Sequence, residues 1–543
     1  MARRRSAEAL ATEQRAISVS EFFAANRHLL GFDSSERVLL AAVKEAVDNA
    51  LDACEEAGYL PEVTVAIEKL GKDRHRVAVT DNGPGIVEAQ VGRIFGKLLY
   101  GSKFHHPRQS RGQQGLGIAA AGMVAQLTTG APVRIVTRTS PKKPAHELRV
   151  TIDTTHNRPV IRGPRETRFE APHGTRVELV LEGQYHHGPH SIALFLKLTS
   201  LANPHATLRL VEPDGNTIVF ERGVRRRPPL APRVAPHPHG IELGRLAAML
   251  KETHHRTLSG FLVDELAGIG RARAEAIVQA SGGGLELHGN PHRLSAKKVA
   301  LLHRALAEAR VPAPRRDVVV PIGEAAILRG LAAELPARFH VAVTRPPAVY
   351  RGHVFVVEVG LAYGHVDEAH VEVTEDGHLR RKGGKASEPT ARAPARVLRF
   401  ANRVPLLHQA SHCAITQAVI ATPFRRYGLD QPEGGLPLGP LRLVVHVASS
   451  WVPFTSEAKE AIAADPEILR ELGLALRSAG RALAAHLRRE ASLEDELEKR
   501  LAIERYLPHV GLALASLLEL GDARRAAPVG HLAATVERKR RAT

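Results

Sequence analysis

Hydrophobic and polar residues separate onto two faces of a predicted helix in the stretch 43–54. Apolar and small residues recur three or four positions apart on one face, at Val43, Val47, Ala50 and Cys54. Acidic and amide residues recur on the opposite face, at Glu45, Asn49 and Asp52. This spacing predicts an α-helix with its back in a core and a wall of acid and amide groups in front. Taken alone, such a wall is more often a solvated face than a binding site.

The same kind of patterning predicts the elements around this helix. A helix is expected over 18–30, and the D-x-x-E sequence from Asp33 to Glu36 predicts the start of the long helix, which ends at Gly58. Apolar runs predict strands over 63–67, 77–80, 133–138, 147–153, 174–181 and 208–211. The proline content of 228–238 predicts a linker, so a domain boundary is expected there.

Beyond the linker the pattern changes twice. The chain from 240 to about 310 is predicted to be helical and basic, with a glycine turn at 267–271. After 314, strands are predicted over 318–321, 354–359, 369–373, 398–401 and 441–448, and helices over 324–335 and 413–421. A glycine- and lysine-rich loop is expected over 375–388. A last helix is predicted to start at Ser456, to be interrupted at Pro466 and to continue to about Leu507.

Composition limits the class of protein. The 543 residues are 44% hydrophobic, enough for about three domains, and 75 Lys and Arg against 57 Asp and Glu give a net charge of +18. That excess fits a polyanionic partner, most simply nucleic acid. The two cysteines, Cys54 and Cys413, exclude a disulfide scaffold and favour a reducing cytoplasm. We expect no secretory signal, no membrane span and no metal held by the 29 histidines.

Two glycine-containing stretches carry candidate chemistry. Asp81-Asn82-Gly83-Pro84-Gly85 directly follows a predicted strand, where glycine lets backbone approach a ligand closely. The stretch 111–118, Arg-Gly-Gln-Gln-Gly-Leu-Gly-Ile, opens a predicted helix, so its free N–H groups form a plausible anion cradle. It lacks the Gly-Lys-Ser/Thr ending of a Walker A motif and the later acid of a Rossmann unit.

Four motifs in order resemble the GHKL ATPases, the superfamily of gyrase, Hsp90, histidine kinases and MutL. They are Glu45 to Asp52, Asp81 to Gly85, Gly112 to Gly117, and Gly174-Thr175. Each motif is weak singly, but the four in sequence are highly specific. The resemblance implies a Bergerat-type α/β sandwich that binds ATP with Mg²⁺.

Within that superfamily, the stretches 95–104, 236–243, 399–406 and 456–463 resemble the B-subunit family of type IIB topoisomerases. This resemblance covers nearly the whole chain. It implies an α+β multidomain protein. The first domain would be a GHKL ATPase domain with an N-terminal arm at 1–228, followed by a helix-two-turns-helix domain at 229–312. A ribosomal S5-like transducer domain that ends in a long helix would occupy 313–508, and a basic tail would occupy 509–543.

The resemblance also implies how the protein works. ATP-driven homodimerisation would close a gate around one double-stranded DNA. A separate A subunit, with a tyrosine nucleophile and a Toprim site, would cut a second DNA duplex. The two kinds of subunit would form an A2B2 heterotetramer in the nucleoid-associated cytoplasm. The chain has no D-x-D sequence of a Toprim site. It is therefore not expected to cut DNA alone.

Residue roles follow from the same resemblance. Glu45 would be the general base, Asn49 the Mg²⁺ ligand, Asp81 the acceptor for the adenine amino group, Gly85 the backbone beside the base, and Thr175 a water-mediated adenine contact. The remaining nucleotide-binding residues are expected in the segment over the triphosphate: Ser102, Lys103, Arg111, Gly112, Gln113, Gln114, Gly115, Leu116, Gly117 and Ile118.

Lys459 is expected to reach the γ-phosphate from the transducer domain and to couple the two domains. Trp451 and the pair Glu457-Ala458 depart from the residues expected in this loop and leave its fine positioning open. Three other functions are weighed: a non-catalytic nucleotide-gated DNA clamp, a histidine kinase, and a mismatch-repair-like GHKL clamp. The presence of both Glu45 and Asn49 disfavours the non-catalytic clamp. The distant Lys459 disfavours the histidine kinase, and the stretches 236–243 and 399–406 disfavour the mismatch-repair-like clamp.

Overall fold

The computed structural model describes residues 17–100, 108–112, 115–232, 234–282, 284–312, 314–335, 337–364, 371–373, 379–381, 393–456 and 458–517. These residues fall into two units. One lies within Met1–Pro423 and Asp430–Ala479, and the other within Phe424–Leu429 and Gly480–Thr543. All of the candidate site residues that are described belong to the first unit.

The N-terminal domain is a mixed sheet with helices on one face. Among the described residues the sheet has eight strands in the order β5-β4-β3-β6-β2-β1-β7-β8, and all neighbours are antiparallel except β1 and β7. The strands are β1 Glu62–Lys69, β2 Arg74–Asp81, β3 Val133–Arg138, β4 Ala145–Asp153, β5 Arg158–Thr167, β6 Gly174–Glu182, β7 Thr207–Val211 and β8 Thr217–Phe220. The helices are α1 Val19–Ala25, α2 Ser35–Ala57, α3 Glu88–Gly96, α4 Gly117–Thr129 and α5 Ile192–Ala202. One apolar core joins these helices to the sheet.

Helix α2 is the long helix that the pattern predicts. Its apolar face is buried, and Gly58 ends it in a left-handed conformation with φ of 95°. Its start differs from the prediction, because Ser34 occupies the N-cap position and the Asp33 carboxylate instead binds the Arg37 guanidinium. The predicted helix over 18–30 is α1 followed by a 3₁₀ turn at Arg27–Leu30. Strand β5 was not predicted, since most of its side chains are exposed and show no clean alternation.

The next domain is helical, as predicted. It has its own apolar core and four α-helices within the described residues 234–282 and 284–312: α6 Leu243–Glu252, α7 Leu258–Glu265, α8 Arg271–Ala280 and α9 Ala296–Glu308. Gly268, with φ of 73°, makes the turn between α7 and α8. A Cβ at this position would lie 2.8 Å from the Val311 side chain, so the turn requires glycine.

The third domain contains a second sheet, with order β10-β11-β16-β14-β15 and β9 also paired to β11. Strands β14 and β16 are parallel, and the other pairs are antiparallel. The elements are α10 Glu324–Glu334, β9 Phe339–Thr344, β10 Ala348–Tyr350, β11 His353–Tyr363, β12 Val371–Val373, β13 Leu379–Arg381, β14 Arg396–Ala401, β15 Val404–Pro405, α11 Ala414–Ala421, β16 Leu441–Ser449 and α12 Pro466–Leu517.

Three predictions in this domain are wrong. Residues 318–321 form no strand, because the segment turns through a 3₁₀ helix at Arg316–Val318. No helix starts at Ser456, since the described residues around it form a turn closed by an isolated bridge between Phe454 and Ile462. Pro466 begins α12 rather than interrupting a helix, because proline fits a first helical turn where no N–H partner is needed.

Helix α12 continues beyond the predicted end near Leu507 and passes through Pro508. The expected boundary between 508 and 509 therefore falls inside this helix. Most of the predicted loop at 375–388 lies outside the described residues, although Leu379–Arg381 pairs with Val371–Val373. In the described part of the chain, no helix is both long enough and apolar enough to cross a membrane.

Candidate nucleotide-binding site

A cavity of about 550 Å³ lies between α2, the turn after β2, the start of α4 and strand β6. Most of the predicted site residues line it: Glu45, Asn49, Asp81, Gly85, Gly112, Gly115, Leu116, Gly117, Ile118, Thr175 and Lys459. Four other predicted residues, Ser102, Lys103, Gln113 and Gln114, lie outside the described residues. The tertiary fold therefore brings residues from five separate parts of the chain to one cavity.

Asp81 lies at the end of β2, opposite Thr175 on β6. Its Oδ1 accepts a 2.8 Å hydrogen bond from the Gly83 N–H. Burial raises the pKa of the Asp81 carboxyl to about 6, although hydrogen bonds from Gly83 and Thr175 oppose the shift. The Thr175 hydroxyl lies 3.4 Å from that of Thr137. This end of the cavity thus offers a carboxylate acceptor among apolar side chains, which suits a flat base with an amino group.

Gly85 makes the turn beside Asp81 possible. Its φ is 70°, and a Cβ would lie 2.2 Å from the carbonyl oxygen of Arg138. No other residue fits this space without moving the neighbouring backbone. The turn therefore keeps bare backbone next to the base-binding end of the cavity.

Glu45 and the start of α4 meet at the other end. No side chain caps the helix at Leu116, so the N–H groups of the first turn are available to an anion. A Cβ on Gly117 would lie 1.7 Å from Oε2 of Glu45. Glycine at this position thus serves two purposes, because it opens the cradle and leaves room for the Glu45 carboxylate.

Asn49 faces the cavity one helical turn after Glu45 and is exposed to it. The space that a Cβ on Gly112 would occupy is 3.6 Å from Oδ1 of Asn49. An amide oxygen that faces an open cavity is a suitable ligand for a hard cation. Within the described ranges, no group of three or more His, Cys, Asp or Glu side chains could hold a metal ion.

Lys459 enters the cavity from the segment after β16. Its Nζ lies 3.9 Å from Oε1 of Glu45, and the residue is 6% exposed. Its backbone is in the left-handed region, with φ of 53°. The next residue, Glu460, forms an ion pair with Arg37 on α2. These contacts hold the lysine segment against the helix that carries Glu45.

Two polar residues of the predicted site are placed elsewhere. Arg111 does not line the cavity, and its buried guanidinium binds Asp52 at 2.7 Å, Glu55 at 2.6 Å and the Asn203 side chain. Asp52 is therefore not part of the cavity wall, contrary to the helical-face prediction. Burial alone would raise the pKa of Glu55, but Arg111 and His205 hold it well below its ordinary value.

Sequence reasoning missed Asp48. This residue is 2% exposed, and neither carboxylate oxygen has a hydrogen-bond partner among the described residues. Burial, followed by the charge of Glu45, raises its pKa to about 7. Its position beside Asn49 in the motif was a signal, but nothing in the sequence showed that the carboxyl faces the interior. Tyr100 and Gln90, whose side chains are joined by a 2.7 Å hydrogen bond, also line the cavity and were missed.

Two family models match long stretches of this chain. A family model described as histidine kinase-, DNA gyrase B- and HSP90-like ATPase matches residues 34–182. Another, described as the topoisomerase VI B subunit transducer, matches residues 314–499. The ATPase region of Saccharomyces cerevisiae topoisomerase II covers 87% of the chain at 10% identity and a TM-score of 0.41.

Two archaeal relatives align over almost the entire chain. The B subunit of type 2 DNA topoisomerase 6 from Methanococcoides burtonii is 46% identical over 94% of this chain and 79% of that protein. The protein of the same name from Archaeoglobus fulgidus is 41% identical over 93% of this chain and 80% of that protein. Because identity at this level extends through the ATPase and transducer regions, the chain belongs to the B-subunit family of type 2 DNA topoisomerase 6.

Proposed function

We propose that this chain is the ATP-binding and ATP-hydrolysing B subunit of a type II DNA topoisomerase. The observation that carries the proposal is a single cavity in which Glu45, Asn49, Asp81 and Lys459 meet, in a chain of this family. ATP bound there drives dimerisation, which closes a gate through which one DNA duplex passes a break in another. The result is relaxation of supercoils and separation of linked DNA.

The cavity orients ATP by its two unlike ends. The Asp81 carboxylate accepts a hydrogen bond from the adenine amino group, with Gly85 and Thr175 beside the base. The phosphates then extend toward the start of α4, where free N–H groups and the helix dipole favour negative charge. This orientation brings the γ-phosphate to Glu45 and Lys459.

Hydrolysis needs a base beside the γ-phosphate, and Glu45 is the candidate. Its carboxylate takes a proton from a water molecule as the water oxygen bonds to the γ-phosphorus and the bond to the ADP oxygen breaks. Gly117 allows the carboxylate to stand directly at the anion cradle. Lys459, at 3.9 Å from Glu45, offers positive charge to the same phosphate.

Asn49 would hold a Mg²⁺ ion through its amide oxygen. The ion would neutralise charge on the phosphates. In the described part of the chain there is no rival cluster of His, Cys, Asp and Glu ligands.

Lys459 provides a route from the nucleotide to the transducer domain. It is carried by the segment after β16, and Arg37–Glu460 holds that segment to α2. A lysine that binds the γ-phosphate ties the two domains together, and hydrolysis releases that tie. From the family resemblance we propose an ATPase domain at 1–228, a helix-two-turns-helix domain at 229–312 and a transducer domain from 313 onward, with α12 continuing past the expected boundary at 508.

The partners follow from the family. We propose double-stranded DNA, which suits the net charge of +18, and a separate A subunit that cuts it, in an A2B2 assembly in the nucleoid-associated cytoplasm. Helix α12 exposes Leu493, Leu497 and Leu501 at helical spacing. Such an apolar stripe on a charged protein is a suitable surface for the A subunit.

The test of the ATPase assignment is Glu45→Ala. The variant is expected to bind ATP and to dimerise but to lose phosphate release by a factor of about 10² to 10⁴. Glu68→Ala, on an exposed strand position, is the matched control and should hydrolyse ATP normally. Unchanged turnover in Glu45→Ala would sink the assignment.

The test of the coupling lysine is Lys459→Ala, measured with DNA and the copurified A subunit. Loss of DNA-dependent turnover and of strand passage is expected, because the γ-phosphate no longer reaches the transducer. The exposed Lys72→Ala is its control. Turnover at the level of the unmodified protein would refute the role of Lys459.

A further inference from the structure

A second connection links the cavity to the transducer domain, through residues 108–112, which we call the strap. Gly112 at one end lines the cavity beside Asn49. The Ser110 hydroxyl donates a 2.7 Å hydrogen bond to the Gly112 carbonyl, which stiffens this end. Gln109 is held by two hydrogen bonds to the backbone of Val320, of 3.0 and 2.6 Å. The strap therefore touches the nucleotide cavity at one end and the entry of the transducer domain at the other.

The strap is also bound by the turn between β14 and β15. Asn402 and Arg403 form this turn with φ of 48° and 68°, and both are buried. The Asn402 side-chain amide donates to the Ser110 carbonyl at 3.1 Å and to the Ser449 carbonyl at 3.0 Å. Its Oδ1 accepts from the Ser449 N–H at 2.9 Å. One side chain thus joins the strap to the end of β16.

Ser449 is where the chain leaves β16 for the segment that ends at Lys459. Contacts consequently form a ring around the cavity. One arm runs from Lys459 back along the described residues 450–456 and 458–459 to Ser449, and the other runs from Gly112 through Ser110 to Asn402, which joins Ser449. Asn402 is the member of this ring that joins its two arms. It belongs to neither the cavity lining nor the lysine segment.

We propose that Asn402 is a positioning residue that transmits occupancy of the cavity from the strap to β16, in parallel with Lys459. The inference rests on the proposed ATP site. A nucleotide that engages Gly112 shifts Ser110 directly, and the two amide hydrogen bonds carry that shift to the strand from which the lysine segment departs. Because the amide is buried and both of its N–H bonds are used, the arms cannot move independently while it is present.

Loss of this amide also leaves buried backbone groups without partners, so a purely structural role would lower stability as well. The distinguishing measurement is the response to nucleotide, region by region. Hydrogen exchange of the full chain with and without a non-hydrolysable ATP analogue and Mg²⁺ provides it. Asn402→Gly removes the side chain and tolerates the left-handed backbone. Asn216→Gly, which removes an amide from the exposed turn between β7 and β8, is a control away from the strap.

In the unmodified protein and the control, the analogue should slow exchange in α4 and also in β14, β15 and the end of β16. In Asn402→Gly the protection of α4 should remain, while that of the three strands falls by about fivefold or more. Full protection of the strands in the variant overturns the inference. If α4 gains no protection in the unmodified protein, the proposed ATP site itself fails.

A second comparison uses Lys459→Ala, in which the strap is the remaining arm. That variant should keep part of the strand protection, and the double variant with Asn402→Gly should lose it. Equal protection in the single and double variants would contradict a parallel route. Asn402→Asp keeps an acceptor for the Ser449 N–H and loses both donated bonds, so it should behave like Asn402→Gly even if the glycine variant is poorly folded.

Discussion

Two pairs of acidic residues on helix α2 lie in opposite circumstances. In the first pair, Glu45 faces the cavity and Asp48 is buried without a hydrogen-bond partner among the described residues. In the second pair, Asp52 and Glu55 are ion-paired to the buried Arg111. The same residue types on one helix therefore have different surroundings within about three turns.

This difference favours a chemical role for the first pair and a structural role for the second. Asp52 and Glu55 bind Arg111, and these contacts fix the strap against α2. Glu45 has Nζ of Lys459 at 3.9 Å, beyond hydrogen-bond distance, and its carboxylate faces the cavity. Glu45 is therefore held less tightly than Asp52 and Glu55 and is available to a ligand.

The largest expected effect comes from comparing equivalent substitutions in the two pairs of acids. Glu45→Gln should lower ATP turnover by about 10² to 10⁴ with little change in thermal stability, because it removes a base from a partly exposed position. Glu55→Gln should lower the thermal stability and change ATP turnover little, since it breaks an ion pair with the buried Arg111. Phosphate release and thermal unfolding measured on both variants check this. Equal losses of turnover in both variants would abolish the distinction between the two pairs.

Arg111→Met should destabilise the protein by about 3–5 kcal/mol at neutral pH, because it leaves Asp52 and Glu55 buried without their cation. The paired Glu55 has a folded pKa below its ordinary value, so its contribution to stability is present at neutral pH and is lost as the pH falls. The difference between variant and unmodified protein should therefore shrink in acid. Denaturant unfolding at several pH values would show this, and a constant difference would contradict it.

Asp48→Asn should make the protein more stable at pH 8, by roughly 2–4 kcal/mol. The folded pKa of about 7 is above the unfolded value near 4, so folding favours the protonated form, and stability falls as the pH rises from about 4 to about 7. The half-buried Lys44, whose pKa desolvation lowers, loses a nearby negative charge in the variant, which reduces the gain. Below about pH 4, where the carboxyl is protonated in both the folded and the unfolded protein, the two proteins should unfold alike. A variant less stable than the unmodified protein at pH 8 would show that the carboxylate is compensated.

The smallest effect concerns Asp81. Its pKa of about 6 predicts that the carboxylate is mostly protonated at pH 5 and accepts the adenine amino group poorly. Adenosine, which has no phosphate to titrate, should bind about tenfold more weakly at pH 5 than at pH 7.5. Asp81→Asn should abolish this dependence. Calorimetric titration would measure both, and an unchanged pH profile in the variant would exclude Asp81 as its source.

Much of the fold was predictable because buried helices and strands place apolar residues at a regular spacing along the sequence. Helix α2, its end at Gly58, the strands β1 and β2 and the helical domain around 240–310 were confirmed. Exposed or irregular elements carry no such period, so β5 and the turn after Ser456 were missed or assigned wrongly. Pro466 was misjudged because a proline can begin a helix as well as break one.

The sequence by itself determined which residue types were available to bind ATP and their order, since the four motifs and the resemblance they carry are properties of the chain. Only the tertiary structure decided which acids of α2 face the cavity and which are ion-paired. Helical periodicity predicts which residues share a face of the helix, but it does not predict which residues pack against that face. The tertiary structure also decided that Arg111 lies outside the cavity, that Gly117 makes room for Glu45, and that Asn402 joins the strap to β16. These are contacts between residues far apart in sequence, and they exist only once the sheets and helices have packed.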